Sequence, residues 1–442
     1  YGLYAMAQVV LTLLSLLNGW GFANALVRGE SVTRQQISQA FGMLILLNGG
    51  LALAQIALAP LAAAYFRHPE VAQLLRVQAL IYLATPFIAV PSALLSRRLD
   101  FRRQAQVHLL GALAGAVTAL SCALLGFGVW TLVAAPMAMF WTQAIGMTLL
   151  ARELCWPSFR FKGADAMVRY GGAMVIVQFF WFVQSQSDVF IAGRLLSPHD
   201  LGLYTTALFL TQILSSKFIP PLNDVAFAAY SRIEGQREAV ASAFLKATRL
   251  IMLVALPFYF GLAATSEPLV LTVLGPKWAD AIPLVGLLAL AMPLMALQIL
   301  FGPANNALGH TSVTVRNAAI GAILMPLAFA IGVRHGTIGL AWAWLTVMPL
   351  FAALTVFSSM KVIGFSLGDL ARAVAPGLLA SVTMALGVSL LDRLLPGMAP
   401  QPRLALLVLS GMAIYAALLF GFARPVMTDV IALLRGRTAV AV

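Results

Sequence analysis

Thirteen apolar stretches of about twenty residues or more follow one another with short polar breaks between them, and that succession leaves the chain few ways to fold. They run approximately over 4 to 27, 40 to 65, 73 to 95, 105 to 127, 129 to 150, 170 to 192, 202 to 230, 249 to 266, 282 to 304, 313 to 333, 338 to 358, 370 to 391 and 403 to 422. Crossing ~30 Å of hydrocarbon takes about 20 such residues in a helix. The stretches are rich in Leu, Ala and Gly and lack alternation of apolar and polar positions, which excludes a membrane β-barrel. Composition agrees, since 61% of the 442 residues are apolar and only 10% are charged. A soluble chain carries about a quarter charged residues. The sequence predicts an all-α, polytopic membrane protein.

The 28 Lys and Arg against 15 Asp and Glu give a net charge of +13, which in a soluble chain would suggest nucleic acid. Topology absorbs it here. With residue 1 outside, twenty of the 28 fall in inner connections, seven fall outside and Lys217 lies within a span. The positive-inside rule then places the carboxyl terminus in the cytoplasm, and no nucleic-acid partner is needed. The cluster Arg97, Arg98, Arg102 and Arg103 reads as a topology anchor facing anionic lipids. Cys122, inside a span, and Cys155, in a basic loop, form neither a disulfide framework nor a metal-ligand spacing.

Gly2, Leu3, Tyr4, Ala7, Leu14 and Ser15 recur 200 positions later as Gly202, Leu203, Tyr204, Ala207, Leu214 and Ser215. Ala112, Gly115, Ala116 and Gly126 recur 206 positions later as Ala318, Gly321, Ala322 and Gly332. Two blocks with nearly one period mark a duplication. The first span matches the seventh, six helices on, so the halves are parallel repeats about an axis along the membrane normal. The expected partition is 1–150 for an amino-terminal lobe of five helices, 151–360 for a lobe of six, and 361–442 for a trailing helix pair with a basic tail. The sixth span has no counterpart ahead of Tyr1, and one further amino-terminal helix is expected to complete a fourteen-helix, two-lobe fold.

Local motifs then bring a family into view. They are Gly2-Leu3-Tyr4, Ser96-Arg97-Arg98-Leu99-Asp100-Phe101-Arg102 and Gly126-Phe127-Gly128-Val129-Trp130-Thr131-Leu132-Val133 in the first half. In the second half they are Asp188-Val189-Phe190-Ile191-Ala192-Gly193-Arg194, Leu201-Gly202-Leu203-Tyr204, Leu274-Gly275-Pro276-Lys277-Trp278 and Ala307-Leu308-Gly309-His310. In this order the chain resembles, over essentially its whole length, the Wzx-type polysaccharide transporters of the multidrug/oligosaccharidyl-lipid/polysaccharide exporter (MOP) superfamily. The resemblance implies two six-helix lobes around a central cavity, a trailing helix pair and alternating access. It implies a flippase for polyprenyl-pyrophosphate-linked oligosaccharide in the bacterial inner membrane, with membrane lipids and other polysaccharide assembly proteins as partners. No cofactor is expected. The sequence carries no ATP-binding P-loop, so energy is left to a coupling H+ or Na+ gradient or to substrate supply. The alternatives are a MATE-like drug or cation antiporter, which favours anionic central residues, and a membrane glycan polymerase or ligase. The latter needs acid, base and nucleophile gathered at one face, and the outer connection 265–281 offers only Glu267, Lys277 and Asp280.

An ionisable group inside a span is a functional candidate by default. Lys217 sits mid-span, three residues ahead of Pro220-Pro221, which bring no N–H to the carbonyls of Ser216 and Lys217. Such irregular backbone is tolerated at depth where it lines a cavity or is buried in protein, and a cation there suits a pyrophosphate. The other reading pairs Lys217 with Asp224 or Asp188 to lock helices together. Gln178, Ser185 and Asp188 fall roughly on one face of the sixth span, as do Gln184 and Asp188 at i and i+4, for sugar hydroxyls or helix contacts, with Arg194 an alternative partner of Asp188. Asn18 and Asn24 on the first span, Asn48 and Gln55 on the second, and Asn305 and Asn306 on the ninth are cavity groups or interhelical glue. Asp224 and Asn223 are candidates for the coupling ion or for a helix-end contact.

Overall fold

In the computed structural model of the chain, residues 1–18, 33–98, 100–151, 156–159, 165–233 and 236–422 are described, without the side chains of Ala151, 165–177, Asp224, Ala228 and Phe422. Among them every regular element is helical and there is no strand. Each of the thirteen expected spans is a helix, or two successive helices, over its described part. The first five are α1 (Gly2–Ser15), α2 (Arg34–Phe66), α3 (Glu70–Gln78) with α4 (Leu80–Arg97), α5 (Phe101–Leu124) and α6 (Trp130–Ala151). The sixth is α7 (Asp165–Leu195), and the seventh is α8 (Pro198–Lys217) with α9 (Ile219–Arg232). Then come α10 (Arg237–Ala264), the short α11 (Ser266–Val273), α12 (Ile282–Ile299) with α13 (Phe301–Ala307), α14 (Thr311–Gly332) and α15 (Gly336–Ile363). The trailing pair is α16 (Leu367–Arg393) and α17 (Pro400–Phe422). Nine helical stretches among the described residues are long and apolar enough to cross a membrane. The chain is an all-α, multi-pass membrane protein.

Two compact units divide the chain, Tyr1–Gly202 and Leu203–Val442. In the first, α7 packs on α1 and α2: Tyr65 stacks on Phe190 at 4.6 Å, and the guanidinium of Arg194 lies over the Tyr65 ring at 4.9 Å. At the start of α1 a side chain on Gly2 would collide with the carbonyl of Pro198, and a Cβ on Gly202 would stand 3.1 Å from the Gly2 nitrogen. The two repeat-related glycines therefore face each other, and their bare backbones permit that approach.

Prolines inside helices set much of the remaining detail. Each withholds an N–H from the carbonyl four residues earlier, which hydrocarbon cannot hydrate. Three of those carbonyls are met by side chains from a neighbouring helix. Thr148 donates to Phe87 O, freed by Pro91, at 3.4 Å; Tyr415 donates to Leu253 O, freed by Pro257, at 2.7 Å. The third is Ile299 O, freed by Pro303 where α12 gives way to α13, which accepts from Asn223 Nδ2 at 3.3 Å. Other amides tie helices within a unit. Asn48 donates to Asn18 O and Leu44 O at 2.9 Å each, and Gln55 to Leu75 O at 2.8 Å. Asn305 donates to Ser359 Oγ at 2.9 Å, and Asn306 Oδ1 accepts from Thr314 at 2.8 Å. These side chains hydrogen-bond within the protein, while the carbonyl oxygens of Asn48, Gln55 and Asn305 are buried with no partner among the described residues.

Candidate functional site

The clearest polar feature of the first unit is a stripe on α1. Tyr4, Gln8, Thr12 and Ser15 recur every three or four residues, which puts them on one helical face over roughly 16 Å of rise, and Asn18 follows just past the helix end. Facing them are Gln78, Ile81, Tyr82 and Thr85 of α3 and α4, and Val133, Pro136 and Phe140 of α6. Together with Leu11 these side chains line a partly open chamber of about 370 Å³. Its hydroxyl protons are mostly committed to backbone: Thr12 donates to Gln8 O and Ser15 to Thr12 O at 2.7 Å, and Tyr82 to Leu11 O at 2.9 Å. The oxygens of those hydroxyls remain acceptors. The Oε1 atoms of Gln8 and Gln78 are buried with no hydrogen-bond partner among the described residues, and Gln78 is only 2% exposed. Among the described residues, no Asp, Glu, Lys, Arg or His lines the chamber. Of this set sequence reasoning reaches Asn18 alone; the four- and three-residue spacing from Tyr4 onward is the signal for the rest.

Lys217 ends α8, directly before the break at Phe218, where Pro220 and Pro221 open α9. The interruption falls where the paired prolines predict it. Lys217 is exposed and has no ion-pair partner among the described residues. Asp224 follows in α9, with its side chain outside the description. The side-chain amide of its neighbour Asn223 is engaged on Ile299 O, as described above.

Asp188 is fully buried on α7, and its Oδ1 accepts from the Val189 N–H at 2.7 Å. Gln184 on the same helix is half-buried and Gln178 is exposed, so the three do not share one environment. Asn18 lines the chamber, and Asn24 lies outside the described residues. In the connection 265–281, Glu267 is engaged by Arg403 at 3.2 Å, and Arg403 also grips both oxygens of Asp392 at 2.7 and 2.9 Å.

Comparison with known proteins places this architecture. Residues 1–283 match the family described as polysaccharide biosynthesis protein. The succinoglycan biosynthesis transport protein ExoT of Rhizobium meliloti is 28% identical over 348 residues, which cover 79% of this chain and 70% of that one. The lipopolysaccharide biosynthesis protein WzxC of Escherichia coli is 22% identical over 368 residues, covering 82% of this chain and 74% of that one. Among solved structures, the lipid II flippase MurJ in an inward closed conformation superposes with a TM-score of 0.76 at 14% identity, over 96% of this chain and 93% of that one. That likeness establishes the fold. The chain belongs to the polysaccharide biosynthesis protein family, as a membrane transporter of the Wzx type and not an enzyme.

Proposed function

We propose that the chain flips a polyprenyl-pyrophosphate-linked oligosaccharide across the bacterial inner membrane by alternating access, with its carboxyl terminus in the cytoplasm. The lobes would be 1–150 and 151–360, followed by the trailing pair and tail at 361–442. The names of the relatives, a succinoglycan transport protein and a lipopolysaccharide biosynthesis protein, support a saccharide cargo. The observation that carries the reading is Lys217, a cation without an ion-pair partner among the described residues, placed at a helix break within the expected seventh span. An ammonium in a water-poor setting stabilises an anion strongly, and its three rotatable donors suit phosphate oxygens. Gln178, Gln184, Asp188, Asn18 and Asn24 would contact the glycan. The coupling ion, H+ or Na+, calls for a carboxylate, and Asp224 is the only one the seventh span offers; Asn223 stands beside it.

The test is transport of a labelled lipid-linked oligosaccharide between the leaflets of liposomes holding the purified protein. A charge-assisted contact is worth about 1.5 to 3 kcal/mol, so Lys217→Ala should slow translocation by about tenfold or more. Lys217→Arg should be milder, with both variants eluting as the wild type does in size exclusion. Normal transport by a folded Lys217→Ala protein would refute the phosphate role, and covalent alteration of the lipid would refute transport itself.

A further inference from the structure

The duplication gives the chamber of the first unit a counterpart in the second, and the two halves treat it differently. Tyr4 corresponds to Tyr204 and Gln8 to Leu208 at the offset of 200. In the second unit the place is filled. Tyr204 is wholly buried, Leu208 is buried, the Trp344 indole N–H donates to the Tyr204 hydroxyl at 2.8 Å, and the Phe329 ring packs against Trp344 at 5.4 Å. The same bundle can thus be closed with a Leu and a Trp. Nothing in the fold demands a glutamine at position 8.

An amide oxygen buried without a donor is destabilising, and the chamber holds two of them, on Gln8 and Gln78. A ligand that brings hydroxyl protons would satisfy both. The ligand's class follows from the lining. With no charged side chain among its described residues, the chamber offers no counter-charge to a phosphate or a metal ion. It does offer hydroxyl acceptors, primary amides that both donate and accept, and the flat rings of Tyr4, Tyr82 and Phe140. At ~30 Å³ per water its 370 Å³ corresponds to about a dozen waters, ample for one sugar ring. A pyranose matches this on both counts, with hydroxyls around its rim and a C–H face for an aromatic ring.

We infer that the chamber binds one neutral sugar ring of the transported glycan, a subsite separate from the groups that hold the pyrophosphate and the coupling ion. The inference rests on the flippase reading. The test uses the full chain in lipid nanodiscs and two ligands, polyprenyl pyrophosphate and the same lipid carrying a single glucose or galactose. Two added hydrogen bonds should make the better hexose lipid bind about tenfold tighter than the bare one. That ratio should fall to about one in Gln8→Leu/Gln78→Leu and in Thr12→Trp, which fills the chamber from α1. If the glutamine variant elutes as aggregate, Thr12→Trp decides alone. A ratio of one for both hexoses in the wild type, meaning a chamber that holds only water, overturns the subsite and leaves the flippase reading standing. So does a ratio that persists in a folded Thr12→Trp protein. Failure of either lipid to bind the wild type would overturn the flippase reading and the subsite with it.

Discussion

Removing the Tyr415 hydroxyl should cost stability only as long as Pro257 is present. Pro257 sits inside α10 and cannot donate to Leu253 O; Tyr415 of α17 supplies the missing donor at 2.7 Å, beside the cluster of Leu253, Ala380 and Leu419. Interhelical hydrogen bonds in membranes average roughly 0.6 kcal/mol and reach about 1.7 kcal/mol. A bond that answers an otherwise orphaned carbonyl belongs at the upper end, so Tyr415→Phe should destabilise the second unit by about 1.5 kcal/mol. In a Pro257→Ala background the restored N–H at 257 reaches Leu253 O along the helix, and the same Tyr415→Phe change should cost only about 0.5 kcal/mol. The four proteins form a double-mutant cycle, read as unfolding free energies by steric trapping in bicelles. A coupling of about 1 kcal/mol stands clear of the roughly 0.3 to 0.5 kcal/mol scatter of independent sites. Equal costs of Tyr415→Phe in both backgrounds would show that the phenol does not substitute for the proline's missing donor.

Two further outcomes follow from close geometry. A Cβ on Gly332 would lie 2.5 Å from Gly339 O, and one on Gly339 would run into Gly332 O; Gly339→Ala should therefore force α14 and α15 apart at a cost of about 1 to 3 kcal/mol, seen as a lower melting temperature in detergent. Arg403→Lys loses the two-pronged grip on Asp392 that ties the start of α17 to the end of α16. It should loosen that end by about 1 kcal/mol, measured as faster amide exchange at Leu391 to Arg393, with no effect if a point charge alone suffices.

The spans are legible because hydrocarbon imposes one solution on a long apolar run, and the break at Phe218 because two prolines admit no other. The junction of α12 and α13 is equally written in Pro303, a signal that the polar Asn305-Asn306 pair beside it overshadows. Asn223 shows the same gap. As a lone amide near a carboxylate it suggests ion binding, whereas the carbonyl it serves is made needy by a proline on a helix 76 residues away in sequence. Such partnerships are invisible without packing. The α1 stripe escapes notice for the opposite reason. Tyr4, Gln8, Thr12 and Ser15 are each ordinary in a membrane helix, and only their shared face, opened by what stands opposite, makes them a site.

Ser15 and Ser215 sharpen the point, since the duplication holds the residue constant while its surroundings change. Ser15 donates back to Thr12 O and turns its oxygen to the chamber. Ser215 is buried and shares a short hydrogen bond with the Tyr259 hydroxyl, pinning α8 to α10. A serine at the same place in each repeat is thus a lining group in one and a rivet in the other. What separates the two outcomes is what stands opposite: Ser15 borders open space, whereas Ser215 meets the Tyr259 hydroxyl. Polarity inside a span therefore specifies binding only where the facing helices leave room, and the α1 face of the first unit meets that condition.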